Sequence, residues 1–253
     1  MKNVKTMNIA KIQPILDEPV LLLEKFKMLV VADLHIGIES ELSEQGISTS
    51  NQTKKMLDKL FLICEKQKFN DIVFLGDVKH NIPSSTIKER RDVKVFLERI
   101  SQYANVHIIP GNHDGNIHKL TTEEIIIHPS DGFIFKKIGF IHGHRWPNDE
   151  LMDCDQIIMA HTHPTIMISD RREFKTYEPC WIKAKFLKEK FEKRYSKPPI
   201  SNILIVPAFN PLCGGMAVNK NGISGPLGKI IDTQNSEVYL LDGTLLGLVK
   251  YIK

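Results

Sequence analysis

The stretch IIPGNHDGN, Ile108 to Asn116, decides how this chain is read. An apolar run ends at Ile109, and Asn112, His113 and Asp114 follow almost at once. A turn alone would account for the glycine, asparagine and aspartate, which suit tight backbone or bond to it. A metal site would account for them too. The choice depends on whether other strand ends repeat the pattern.

They do. Runs with the length and β-branched content of buried strands are MLVVA (28–32), IVFL (72–75), VHII (106–109), GFI (139–141) and QIIMA (156–160). Asp33 and His35 follow the first, Gly76, Asp77 and His80 the second, and Gly111 to Asp114 the third. His142-Gly143-His144 follow the fourth, and His161 and His163 the fifth. Each strand thus delivers Asp, Asn or His at its carboxyl end, where open α/β sheets form their ligand crevices. Residues two apart in extended chain face the same side, so Asp33 with His35, and His161 with His163, can serve one cleft. Gly76, Gly111 and Gly143 permit tight turns and close backbone approach. Taken singly each piece is ordinary: Asp33 could cap a helix, and a lone histidine could be core or surface. Taken together and in order, they indicate a metal site. Carboxylate, amide and imidazole suit manganese, iron or zinc better than an all-oxygen magnesium or calcium cage.

Between the early strands lie amphipathic helical patterns at 50–68, with Met56, Leu57, Leu60, Phe61 and Cys64 on one face, and at 86–103, with Val93, Phe96, Leu97 and Ile100. Later runs, ILIV (203–206) and VYLL (238–241), add strands, and Asp242-Gly243 signals a hairpin. Strand–helix alternation followed by a strand-rich part predicts an α/β core with an added β layer, helices lying outside two packed sheets. At 253 residues the chain suits a single domain, 1–253, with no repeat or low-complexity linker.

Composition narrows the class. No apolar run approaches a membrane span, and the first residues carry no signal-peptide core, so a cytoplasmic protein is expected. Cys64, Cys154, Cys180 and Cys213 form no CxxC pair and are expected to be reduced thiols. The net charge of +4 does not indicate nucleic acid. A basic aromatic insert near 171–197 is more suggestive, with ten Lys/Arg against four Glu, interleaved with Phe174, Tyr177, Trp181, Phe186, Phe191 and Tyr195. Such a segment can track phosphates and stack bases. The plainer reading, and the favoured one, is a solvated helix or hairpin face whose aromatics lie in the core.

The motifs resemble those of the calcineurin-like metallophosphoesterases: Asp33-Leu34-His35, Gly76-Asp77-Val78-Lys79-His80, Gly111-Asn112-His113-Asp114, His142-Gly143 and Ala160-His161-Thr162-His163. The one departure is Ala160, where that family usually has glycine; the position carries no ligand atom. Within the family, VVADLHIGIESELSEQGI (30–47) and VPAFNPLCGG (206–215) resemble archaeal phosphoesterases related to the SbcD nuclease subunit and to ligase-associated repair enzymes.

The resemblance implies a four-layer αββα sandwich of two mixed sheets flanked by helices. It implies two divalent ions, manganese first, with iron, zinc or nickel as alternatives. Asp33, His35, Asp77 and His163 would hold one ion, and Asp77, Asn112, His142 and His161 the other. A hydroxide bridging the ions would attack phosphorus in line. His113 would act on the ester without being a ligand, Asp114 would orient it, and His80 would contact phosphate. His144 is left structural. The implied substrate is a phosphodiester, DNA or RNA, in repair or processing beside a helicase or ligase. A small nucleotide or other phosphate ester is the alternative substrate. A non-catalytic scaffold of this fold is the alternative from another class.

Overall fold

In the computed structural model, which describes residues 12–83 and 85–252, alternation along single strands creates the layers. The first half contains β1 (Ile12–Pro14), β2 (Val20–Leu23), β3 (Met28–Val31), α1 (Ile38–Glu44), α2 (Gln52–Lys66), β4 (Asp71–Phe74), α3 (Ile87–Ser101), β5 (Asn105–Ile108) and β6 (Ile126–Ile127). These strands form one sheet in the order β1-β2-β3-β4-β5-β6, parallel from β3 to β6. In β3, Leu29 and Val31 pack with Met56, Leu60, Val93, Phe96 and Leu97 of the helices. Met28, Val30 and the following Ala32 turn the other way, onto the second sheet.

That second sheet is built from β7 (Phe133–Phe135), β8 (Ile138–Ile141), β9 (Gln156–Met159), β10 (Pro164–Ser169), β11 (Lys175–Ala184), β12 (Asn202–Ile205), β13 (Met216–Ala217), β14 (Glu237–Leu240) and β15 (Leu245–Leu248). Its inner residues, Phe140, Ile158, Trp181 and Leu204, meet the first sheet. Its outer residues, Ile157, Met159, Ile182 and Ile205, pack with Phe191 of α4 (Lys188–Tyr195), Val218 of α5 (Val218–Asn221) and Leu227 of α6 (Gly225–Gly228). Three apolar layers between four structural layers make an αββα sandwich.

Local chemistry sets the helix starts. The Asn51 side chain accepts from the Lys54 amide at 2.9 Å, and Thr86 with Glu89 closes a capping box at the head of α3. Segment 171–197 supplies β11, woven between β10, β12 and β14, and then α4. Its aromatics divide: Trp181, Phe186 and Phe191 are buried, while Phe174 and Tyr177 are exposed. The first part of β11, up to Pro179, pairs only with β10, forming a hairpin that extends beyond the sheet.

Register brings the site together. Val31, Phe74 and Ile108 stand level across β3, β4 and β5, as do Ile141, Met159 and Ile205 across β8, β9 and β12. The loops that leave them emerge on one edge of the sandwich. The 206–215 loop ties the two sheets there: the Phe209 amide donates to Ala32 O at 2.9 Å, and Asn210 Nδ2 to Leu34 O at 2.8 Å.

Candidate metal centre

The loops leaving β3, β4 and β9 hold an unusual backbone. Asp33, His35, Asp77, His161 and His163 all have left-handed φ, between 41° and 67°. Non-glycine residues pay roughly 1–3 kcal/mol for sparsely populated backbone and persist there only where the surroundings fix them. Here the first two loops fix each other, the Asp33 amide donating to Gly76 O and the His35 amide to Asp77 O. The turns bring alternate side chains into one cleft.

Two donor groups share a carboxylate. Asp33, His35, Asp77 and His163 offer atoms all within 4.8 Å of one another, and so do Asp77, His142 and His161. His142 Nε2 lies 3.2 Å from Asp77 Oδ2, His35 Nε2 3.6 Å from the same oxygen, and His163 Nε2 3.4 Å from Asp33 Oδ1. Asp33 and His142 are fully buried, and Asp77 and His35 nearly so.

The outward nitrogens decide the tautomers. His142 Nδ1 lies 2.9 Å from Leu75 O, and His163 Nδ1 3.2 Å from Gly214 O; a carbonyl only accepts, so both Nδ1 atoms carry the proton. Nε2 is therefore the nitrogen each turns inward, the orientation of a metal-bound imidazole. Inside the cleft, both Asp33 carboxylate oxygens and His142 Nε2 are buried without a hydrogen-bond partner among the described residues. Buried acceptors of this kind are costly unless a cation satisfies them. The donor set fits divalent ions.

Electrostatics agree. Burial drives His35 down to about 3 despite Asp77 and Asp33, and drives His161 down to about 4, so both are neutral at pH 7 and free to ligate. Burial would also lower His142, but the Asp77 contact and the charges of Asp77 and Asp33 raise it to about 9. Burial would raise Asp77, but the His142 contact and the charges of His142 and His35 hold its carboxyl well below the usual carboxylate range. A proton on His142 is what an ion would displace.

Around the ligands, the GNHD turn is built on Asp77. The His113 amide donates to Asp77 Oδ1 at 2.8 Å, and a Cβ on Gly111 would stand 2.1 Å from that same oxygen. Only glycine lets the turn close. His113 Nδ1 bonds the His80 carbonyl, leaving Nε2 as its uncommitted nitrogen. The expectation that Asp114 orients the His113 ring needs correction. Its carboxylate accepts from the Gly111 and Lys79 amides, at 2.8 and 3.2 Å, so it braces two loops, and the carbonyl of His80 orients His113. Burial and then the Asp77 charge push Asp114 up to about 6. Asn112, within this turn, is exposed. His80 also differs from expectation: His35 and Glu41 engage both of its ring nitrogens, leaving neither free for phosphate in this arrangement.

Residues 26–200 match the family of calcineurin-like phosphoesterases. This chain is a calcineurin-like phosphoesterase. Among solved structures, the phosphoesterase shares its fold with the nuclease MPE of Pseudomonas putida, at 19% identity and a TM-score of 0.60, over 94% of this chain and 100% of that one. Weaker similarity links it to YfcE, a phosphoesterase from E. coli (17% identity, TM-score 0.37, 87% and 96% covered). A Vps29 double mutant from Entamoeba histolytica is also similar (13%, 0.34, 79% and 80%). The phosphoesterase is thus a metal-dependent hydrolase by family, and its His and Asp clusters can hold the divalent ions that family uses.

Two residues near the phosphoesterase's cleft were not foreseen. Cys213 joins His35 and His163 in a group of potential donors, because the 206–215 loop crosses to β3; its thiol lies 3.7 Å from Asp33 O. Spacing in the sequence gives no hint of this. Glu41 reaches the cleft from α1 by bonding His80; eight residues beyond Asp33, it reads as helix surface. His144 lies behind His142, ring centres 5.4 Å apart, with burial pushing it down to about 4. Among the described residues, no helix is long and apolar enough to cross a membrane.

Proposed function

We propose that this phosphoesterase cleaves phosphodiester bonds in nucleic acid at a centre of two divalent ions, manganese being the first candidate. Asp33, His35, Asp77 and His163 would hold one ion, and Asp77, Asn112, His142 and His161 the other. The observation that carries the reading is that Asp77 belongs to both donor groups. When bound, the ions would neutralise charge on the phosphate and lower the pKa of an attacking water.

The chain's own residues supply the rest. The buried carboxylates and inward Nε2 atoms would hold the ions, and Gly111 and Asp114 hold the turn that carries His113. With Nδ1 committed to the His80 carbonyl, His113 offers Nε2 to the ester and, protonated there, can donate to the departing oxygen.

For the substrate, two observations favour a polymer. The β10–β11 hairpin leaves the cleft directly after His163 and exposes Arg171, Arg172, Phe174, Lys175 and Tyr177, cations and aromatics suited to phosphates and bases. The P. putida protein that shares this fold is a nuclease. Resemblance at 30–47 and 206–215 to repair phosphoesterases extends the proposal to DNA processing beside a helicase or ligase.

The test is hydrolysis by protein prepared without chelator and supplied with manganese, comparing a simple diester, a monoester, and single- and double-stranded DNA. Cleavage of diester and DNA is expected. Hydrolysis of the monoester alone would move the function to small phosphate esters. Two bound ions with no hydrolysis of any ester would indicate a scaffold.

A further inference from the structure

The three deeply set histidines of the cleft differ in what holds their outer nitrogen. His142 and His163 use the backbone carbonyls of Leu75 and Gly214. His35 instead faces a side chain: its Nδ1 lies 3.2 Å from Nδ1 of His80. The other His80 nitrogen, Nε2, lies 2.6 Å from Glu41 Oε2. The His80 ring is clamped in this position, stacked at 16° on His113, with its amide donating to the buried Glu89 at 2.7 Å.

Two imidazole nitrogens that face each other need one proton between them. If His35 gives Nε2 to an ion, its single proton sits on Nδ1 and is donated to His80. Nδ1 of His80 is then the acceptor, so the His80 proton sits on Nε2. The Glu41 carboxylate, which only accepts, takes that bond. Run the other way, the chain puts the His35 proton on Nε2, where the ion would bind. With His80 neutral, Glu41 at the outer end excludes that direction, because its carboxylate takes the single His80 proton on Nε2.

We propose that Glu41 is a positioning residue for the metal centre, fixing through His80 the tautomer in which His35 turns an unprotonated Nε2 inward. It rests on the dinuclear reading above. It also gives His80 a task other than touching phosphate. A carboxylate at the far end makes the bound imidazole more basic than a carbonyl does, and loss of such a partner typically weakens metal binding about 10–100-fold.

The test uses wild-type protein, Glu41→Gln and Glu41→Ala, stripped of metal and titrated calorimetrically with manganese. Glu41 is half exposed and, among the described residues, its other side-chain bond is to Gln45 at the C-cap of α1, so neither substitution disturbs the core. Wild-type protein should take up two ions. The alanine variant should bind one of the two about 10-fold or more weakly. Glutamine, which keeps an acceptor but loses the charge, should fall between. In cobalt-loaded protein, the paramagnetically shifted, exchangeable Nδ1 proton of His35 should persist in wild type and exchange faster with water in the alanine variant. A merely structural role would not change that exchange. Unchanged affinity and unchanged exchange in both variants would overturn the role of Glu41. Wild-type protein that takes up no ion would instead overturn the metal reading, so the two failures are distinct.

Discussion

The two ends of the sandwich make opposite use of polar residues. At the amino end of β9 and β12, Gln156, Asn202, Trp181, Lys183, Glu237 and Tyr239 line a cavity of about 740 Å³. It is roomy but largely paired within itself: Tyr239 donates to Glu237 at 2.7 Å, Asn235 to Asp232 at 2.9 Å, and Lys183 sits over the Tyr239 ring. Trp181 Nε1, buried there, has no hydrogen-bond partner among the described residues. At the carboxyl end, five non-glycine residues are held in left-handed backbone around buried, unpartnered carboxylate and imidazole atoms. Chemistry therefore belongs where donors are left unsatisfied, not wherever the surface offers room. A cavity whose polar groups already satisfy each other asks for little; the crowded end asks for cations.

The largest effect should come from the atom group that both clusters share. Asp77→Asn should lower diester hydrolysis by about 1,000-fold or more, as the charge stabilisation of several kcal/mol that ions supply is lost. Metal analysis of the same variant should show loss of more than one ion per chain. Next, His113→Ala should cost roughly 100- to 10,000-fold in kcat while metal content stays unchanged. Loss of metal along with activity would make His113 a ligand and contradict its assigned role. Gly111→Ala forces a methyl onto Asp77 and should cost about 1–3 kcal/mol of stability, read by denaturant unfolding.

A pH series sharpens the same contrast. In metal-free protein the raised pKa of His142 contributes stability that is complete below about 6.5, its unfolded value, and is lost as pH rises through about 9. Thermal unfolding of chelated protein should therefore weaken across that interval, and Asp77→Asn should flatten the trend by removing the partner. Manganese affinity should rise over the same interval, as the ion no longer competes with that proton. The smallest effect belongs to the other end: Glu237→Gln should leave hydrolysis unchanged and stability within about 0.5 kcal/mol.

Much of this contrast was legible in the sequence. The five strand ends carried their candidate ligands in the order in which parallel register later aligns them, and each expected strand matches an observed one within a residue or two. Such runs are readable because a strand buried on both faces is continuously apolar. The β2 strand, VLLL, and β10, PTIMIS, are equally apolar but went unread, lying among turn residues and directly behind the HTH motif. Helix α1, IESELSE, offers only Ile38 and Leu42 as an apolar face, too short a pattern to read; it is also held by Glu39, which accepts from the Gln52 and Thr53 amides of α2. The candidate ligands lay in residue types, whereas orientation lay in partners the sequence does not mark. The carbonyl of His80 on His113, the brace from Asp114 and the approach of Cys213 all arise when loops from different strands meet.

The central claim is that Asp77 lies between two ions. Anomalous diffraction at the manganese edge from crystals grown with that metal tests it most directly. Two peaks should flank the Asp77 carboxylate, one among Asp33, His35 and His163 and the other among Asn112, His142 and His161. A single peak, or a pair of which only one touches Asp77, would contradict it.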